Sequence, residues 1–244
     1  VTRERRAGFG PELSVRQSQA LFAETTSARN LMRDATAAIE AMSDVNTHGD
    51  SVLAVASIGV EKTMKLLLGC REVRLYGSWP TKGLLKDWGH GVERLHGLLL
   101  EALQERSGIG HNTELAATLH HRVTGSVVLP LIMEALDRYG RSGRFHNLDI
   151  LATDQVATWD SPNRYWERVE TCMRDITPEL QDPPFGDNAG LDRYEETLHR
   201  LVASELEVWW YCVHRLAVLG WFGRLGEKVG WLIWEDGRVE PAGL

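Results

Sequence analysis

Apolar residues recur at three- and four-residue steps along nearly the whole chain, while the two-residue alternation of a half-buried strand is scarce, and this restricts the fold to the all-α class. From Leu13 to Met42 the residues Leu21, Ala28, Leu31, Ala35, Ala38, Ile39 and Met42 form one stripe, which predicts a long amphipathic helix. Asn46 to Asp50 is a polar break. Asp50 or Ser51 is the expected cap of a second helix that runs to Leu68, buries Leu53, Val60, Met64 and Leu67, and is closed by Gly69. Arg71 to Gly83, with Gly77, Pro80 and Gly83, reads as a connection. A third helix to Arg106 carries the stripe Trp88, Val92, Leu95, Leu99 and Ala102 and stops at Ser107-Gly108-Ile109-Gly110. His111 to Tyr139 reads as a fourth, kinked or broken at Pro130. Ser161-Pro162 opens a fifth that ends before Pro178. After the loop Gln181 to Gly190, a last helix runs from Leu191 to Gly223. The expectation is one helical bundle of about six helices, with its core over residues 13–224 and a C-terminal tail over 225–244.

A length of 244 residues is enough for one domain with a sizeable core. The composition, 43% hydrophobic and 25% charged, is that of a globular chain rather than a disordered or fibrous one. A net charge of −7 argues against a broad surface for nucleic acid, which would need a surplus of cations, and leaves room only for a local basic site. Cys70, Cys172 and Cys212 are odd in number and widely spaced, so they give neither a disulfide framework nor a metal knuckle and point to a reducing, cytoplasmic setting. No secretory signal is visible at Val1 to Arg6, and Leu201 to Gly223 contains Glu205, Glu207, His214 and Arg215, which argues against a membrane span. The crowding of Trp209, Trp210, Trp221, Trp231 and Trp234 has two readings: a central helix covered within its own bundle, or a homodimer interface.

Three features carry chemistry. Glu61 and Lys65 stand four residues apart in the favourable order on the second helix, either as a surface ion pair or as a semi-buried pair that supports a site. The segment Arg138 to Asn147 gathers Arg138, Arg141, Arg144 and His146 at a helix end, the most basic spot of an acidic chain. Guanidinium groups there suit phosphate oxygens, and an imidazole gains and loses a proton near neutral pH; alternatively the arginines pair with Asp137, Asp149 or other carboxylates. Glu-x-x-His occurs as Glu93/His96 and Glu196/His199, with Glu61 upstream of the first and Glu167 or Glu170 upstream of the second. That order mimics a di-metal carboxylate bundle, but the phase of these residues relative to the apolar stripes argues against inward-facing ligands. His111, Glu114 and His121 share a face that reads as solvated.

The stretch from Ala54 to Leu103, with Ile58-Gly59-Val60-Glu61-Lys62-Thr63-Met64-Lys65 and then Lys86-Asp87-Trp88-Gly89-His90-Gly91-Val92-Glu93-Arg94-Leu95, resembles the HEPN superfamily of helical bundles. The resemblance implies a homodimer in a toxin–antitoxin, antiviral-defence or RNA-processing setting, with many members acting as endoribonucleases that need no metal or other cofactor. It also implies a catalytic Arg followed by four to six residues and His. Arg141 and His146 fit, with Ser142 as the polar neighbour of the arginine; Arg106/His111 and Arg193/His199 share the spacing. The basic setting selects Arg141 and His146, with Arg144 on the phosphate and Glu61 and Lys65 in support. Gly143 departs from the helical form of the motif. The alternatives are a non-catalytic RNA- or protein-binding module, with an antitoxin or defence-system protein as partner, and the di-metal bundle.

Overall fold

The computed structural model describes residues 12–105, 113–141, 143–155, 158–184, 186–234 and 241. Among them there is no strand. They form ten α-helices: α1 (Val15–Glu40), α2 (Val45–Tyr76), α3 (Lys82–Trp88), α4 (Val92–Gln104), α5 (Thr113–Gly125), α6 (Leu129–Arg141), α7 (His146–Thr153), α8 (Pro162–Ile176), α9 (Asn188–Val218) and α10 (Gly223–Ile233), with single 3-10 turns at Gly143–Phe145 and Pro178–Leu180.

The helices begin where side chains satisfy the free backbone N–H groups of a first turn. Ser14 and Gln17 form a reciprocal capping box on α1, Asp44 accepts from the Thr47 N–H at the start of α2, Thr81 caps α3, and Ser161 with Pro162 starts α8 as the sequence predicts. The second helix is longer than expected at both ends. Gly69 does not close it, because that position is needed for packing: a Cβ there would lie 2.5 Å from the Trp79 ring. The terminator is Gly77, at φ 73°, in the left-handed conformation that a helix C-terminus favours.

Four additions raise the count from six to ten: the expected third helix breaks at Gly89–Gly91 into α3 and α4, α7 forms in a stretch read as open chain, and the other two arise in the expected fourth helix and tail. The expected fourth helix divides into α5 and α6, with Pro130 in the first turn of α6, where its missing N–H costs nothing. The Ser126 hydroxyl caps that turn, accepting from the Leu129 N–H at 3.0 Å while donating to Glu205 at 2.8 Å. The stretch expected as a C-terminal tail contains α10, which packs on α9, α2 and α1. Its Val229 and Ile233 are fully buried.

Two long helices organise the bundle. α2 lies along α1 and also meets α4, α6, α8 and α10, whereas α9 meets α1, α5, α6, α8 and α10. Covered on so many sides, α9 buries Trp209, Trp210, Val213 and Leu216 within its own chain, and Trp221 and Trp234 close over it, so the tryptophan cluster is core. Trp231 is the exception, 59% exposed. Full burial of a large apolar side chain contributes about 1.5–3 kcal/mol, so this cluster is a main stabiliser of the bundle. Among the described residues, no helix is long and apolar enough to cross a membrane.

Candidate functional site

Where α2, the α3–α4 turn and the end of α6 converge, they enclose a half-open cavity of about 680 Å³. From α2 come Ala54, Ser57, Ile58, Glu61 and Lys62; from the turn Trp88, Gly89, His90, Gly91 and Arg94; from α6 and beyond Tyr139, Gly140, Arg141 and Arg144. Four permanent cations, Lys62, Arg94, Arg141 and Arg144, thus line it against one carboxylate, Glu61. Two of these cations have carboxylate partners, Lys62 with Glu24 at 2.6 Å and Arg141 with Asp137 at 3.5 Å, so the lining is a local concentration of cations in a chain of net charge −7.

The turn that presents His90 follows from its glycines. Gly89, at φ 66°, ends α3, and Gly91 precedes α4 without offering a side-chain cap. Between them the His90 side chain stands 78% exposed. Its Nδ1 lies 3.0 Å from Glu61 Oε1, and Lys65 Nζ donates to the same oxygen at 2.8 Å. Glu61 and Lys65 therefore form a semi-buried ion pair, and the same Glu61 oxygen meets His90. In the neutral tautomer whose Nδ1–H donates to the carboxylate, the Nε2 lone pair lies on the open side.

Asp137 fixes the relation between the two walls. Buried at 5% exposure, its Oδ1 accepts from the Glu93 N–H at 3.2 Å, supplying the cap that α4 lacks, while Oδ2 lies 3.5 Å from Arg141 Nη1. A Cβ on Gly91 would stand 3.1 Å from Asp137 Oδ1 and 3.6 Å from Arg141 Nε, so the arginine lies against the backbone beside His90. Burial, then the neighbouring Asp137 and Glu134 carboxylates, raise the Glu93 pKa, with Arg141 opposing. Tyr139 is likewise held protonated by burial and by Asp50, against a smaller opposing effect of Arg144, and so presents a phenolic donor.

Gly143 departs from a helical motif because α6 has already ended. A Cβ there would meet Pro162 Cγ at 2.3 Å and the Arg138 carbonyl oxygen at 2.8 Å. The tight 3-10 turn this permits brings Arg144 into the cavity wall. Of the residues selected from the sequence, Arg141, Arg144 and Glu61 thus line one cavity, and Lys65 holds Glu61 from behind. His146 starts α7, half-buried and outside the cavity lining. Ser142, Arg106 and His111 lie outside the described residues. In the remaining pair His199 is buried on α9 with Nε2 3.3 Å from Glu170, while Arg193 pairs with Asp187.

His90, Arg94, Tyr139 and Asp137 complete the site. The sequence signal for His90 was its place between two glycines directly before an amphipathic helix. Of the Glu-x-x-His residues, His199 meets Glu170, whereas His96 is buried against the Trp209 ring, and burial lowers its pKa to about 4. Among the described residues no group of three or more His, Cys, Asp or Glu is placed to hold a metal ion. No family model, curated protein or solved structure matches this chain.

Proposed function

We propose that the cavity binds and cleaves an RNA phosphodiester by internal transesterification, as a HEPN-like endoribonuclease that needs no metal ion. The observation that carries this reading is an exposed imidazole, held at Nδ1 by a carboxylate, in a cavity lined also by the arginines Arg94, Arg141 and Arg144. His90 Nε2 takes the proton of the ribose 2′-hydroxyl, the 2′ oxygen attacks phosphorus, and the 5′ oxygen leaves and takes a proton from water. The products are a 2′,3′-cyclic phosphate and a 5′-hydroxyl. Glu61 holds the imidazole and stabilises its cation, a positioning role typical of carboxylate–histidine pairs. Arg141 and Arg144 hold the phosphate and offset the charge that develops on it, and Tyr139 adds a neutral donor.

In this assignment His90 takes the proton-transfer role that the resemblance and the basic setting give to His146, while Arg141 and Arg144 keep theirs. The resemblance also implies a homodimer, in which a second copy would double the cleft. The test is product chemistry. A mixed RNA pool incubated with the protein in EDTA yields fragments ending in 2′,3′-cyclic phosphate, and a 2′-deoxy substitution at the cut position blocks the cut. Fragments with 3′-hydroxyl ends would overturn the mechanism, and RNA bound tightly but left intact would make the cavity a non-catalytic RNA-binding module.

A further inference from the structure

From the cavity wall outward, arginines lie over aromatic rings at three places along the seam between α6 and α8. Arg144 lies 5.0 Å from the Phe145 ring, Arg138 5.6 Å from Trp159, and Arg168 4.0 Å from Tyr165. The three pairs are linked through α6. Arg168 pairs at 3.5 Å with Glu134, one helical turn before Arg138 on α6. Arg138 Nε donates to the Asp160 carbonyl beside Trp159. The Arg138 carbonyl in turn closes on the Gly143 turn that carries Arg144. Arg144 itself lines the cavity. Phe145 is 48% and Trp159 61% exposed, and neither helps to build the core.

Two large exposed rings, each under a guanidinium, on a track that ends at an anion-binding cavity, match the chemistry that holds unpaired bases: rings stack on bases while arginines follow phosphates. Resting on the phosphodiester reading of the cavity, we infer that the Phe145–Trp159 ledge is a stacking platform for single-stranded RNA, holding two or three unpaired nucleotides beside the bond to be cut. A protein partner for this face would use the apolar Leu148 and Leu151 of α7 but would leave the alignment of arginines with rings without a role. The platform makes the substrate single-stranded, because a base paired in a duplex has no free face to offer.

The ledge is tested with a probe that cannot be cleaved, a fluorescein-labelled 2′-O-methyl octaribonucleotide, used alone and annealed to its complement, with binding followed by anisotropy. The single strand is expected to bind at least 10-fold more tightly than the duplex. Phe145→Ala and Trp159→Ala are each expected to weaken it by about 5- to 100-fold, the range for loss of one base–aromatic stack. Phe145→Leu and Trp159→Phe serve as fold controls, and Trp159→Phe retains most of the affinity. Equal affinity for duplex and single strand, or affinity unchanged in both alanine variants, overturns the platform. So does dissociation of a protein dimer by those variants, read by light scattering, since it would assign the face to a second copy. Cleavage of a dinucleoside monophosphate by the wild-type protein reports on the cavity alone. A platform that binds beside a cavity that does not cut would retire the catalytic reading and leave the ledge standing.

Discussion

Two stretches of α2 illustrate opposite uses of histidine. Around Glu61 the helix borders the cavity, where His90 projects to the open side and its one fixed contact is a carboxylate. Around Cys70 the same helix packs under α10, where His214 of α9 is 3% exposed, stacks on Trp234 at 5.5 Å and lies 2.7 Å from the Gly230 carbonyl. His214 thus has its polar valence used inside the protein, and burial lowers its pKa to about 4, with the Gly230 contact opposing. His90 has one valence directed at Glu61 and one open. One arrangement stabilises a fold and the other leaves an imidazole available to a substrate.

The largest effect that would sharpen this contrast is on stability. Trp210→Ala removes a fully buried indole whose Nε1 donates to the Ile233 carbonyl at 2.8 Å and whose ring lies 4.5 Å from that of Trp234. It should cost about 3–5 kcal/mol in urea unfolding. A loss under about 1 kcal/mol would show that the aromatic end does not carry the fold.

Next comes pH. The folded-state pKa values of His96 and His214, about 4, lie below that of an unfolded imidazole, about 6.5, so the unfolded chain binds these protons first as pH falls. Their stabilising contribution is complete above pH 6.5 and lost between about 6.5 and 4, amounting to at most about 3 kcal/mol each. Unfolding midpoints measured across that window should fall, and His214→Phe, which keeps an aromatic ring beside Trp234, should flatten the fall. An unchanged slope would break the assignment.

At the cavity a smaller stability effect is expected. Asp137→Asn weakens the tie between the α4 N-terminus and Arg141, for about 1–3 kcal/mol of stability, and loosens phosphate binding as well. Thermal unfolding and inorganic phosphate titration would read the two losses together; phosphate affinity unchanged in a destabilised variant would limit Asp137 to structure. Smallest is Lys65→Met, which removes the Lys65–Glu61 pair for less than about 1 kcal/mol. It should still lower the cleavage rate if Glu61 needs that anchor to orient His90, whereas a rate unchanged at every pH would free Glu61 from Lys65.

The sequence shows those parts of the molecule that depend on local pattern. Capping at Ser161-Pro162 and the all-round apolar character of α9 are each written within a few turns and are found as read, and the stripe of α1 is found except that Met32 is fully buried where Leu31 and Ala38 are only partly so. Gly69 and Gly143 were legible as glycines but not as contacts, because what each must accommodate, Trp79 in one case and Pro162 in the other, depends on tertiary packing. Short helices such as α7, which buries no residue, leave no stripe to detect. The site was half legible for the same reason. Arg141 and Arg144 stand out by local charge, and Glu61 with Lys65 by helical spacing. The pairing of His90 with Glu61 spans 29 residues and two helices, which no spacing rule reaches.

The most direct test is the rate of RNA cleavage in EDTA by wild-type, His90→Ala and His146→Ala proteins, purified side by side with their unfolding midpoints measured. The account predicts that His90→Ala loses about 100- to 10,000-fold in rate, the range for a general acid–base group, with a stability change within about 0.5 kcal/mol, while His146→Ala stays within a few-fold of wild type. Full activity in His90→Ala together with loss in His146→Ala would contradict it and return proton transfer to His146, the residue that the basic setting selects.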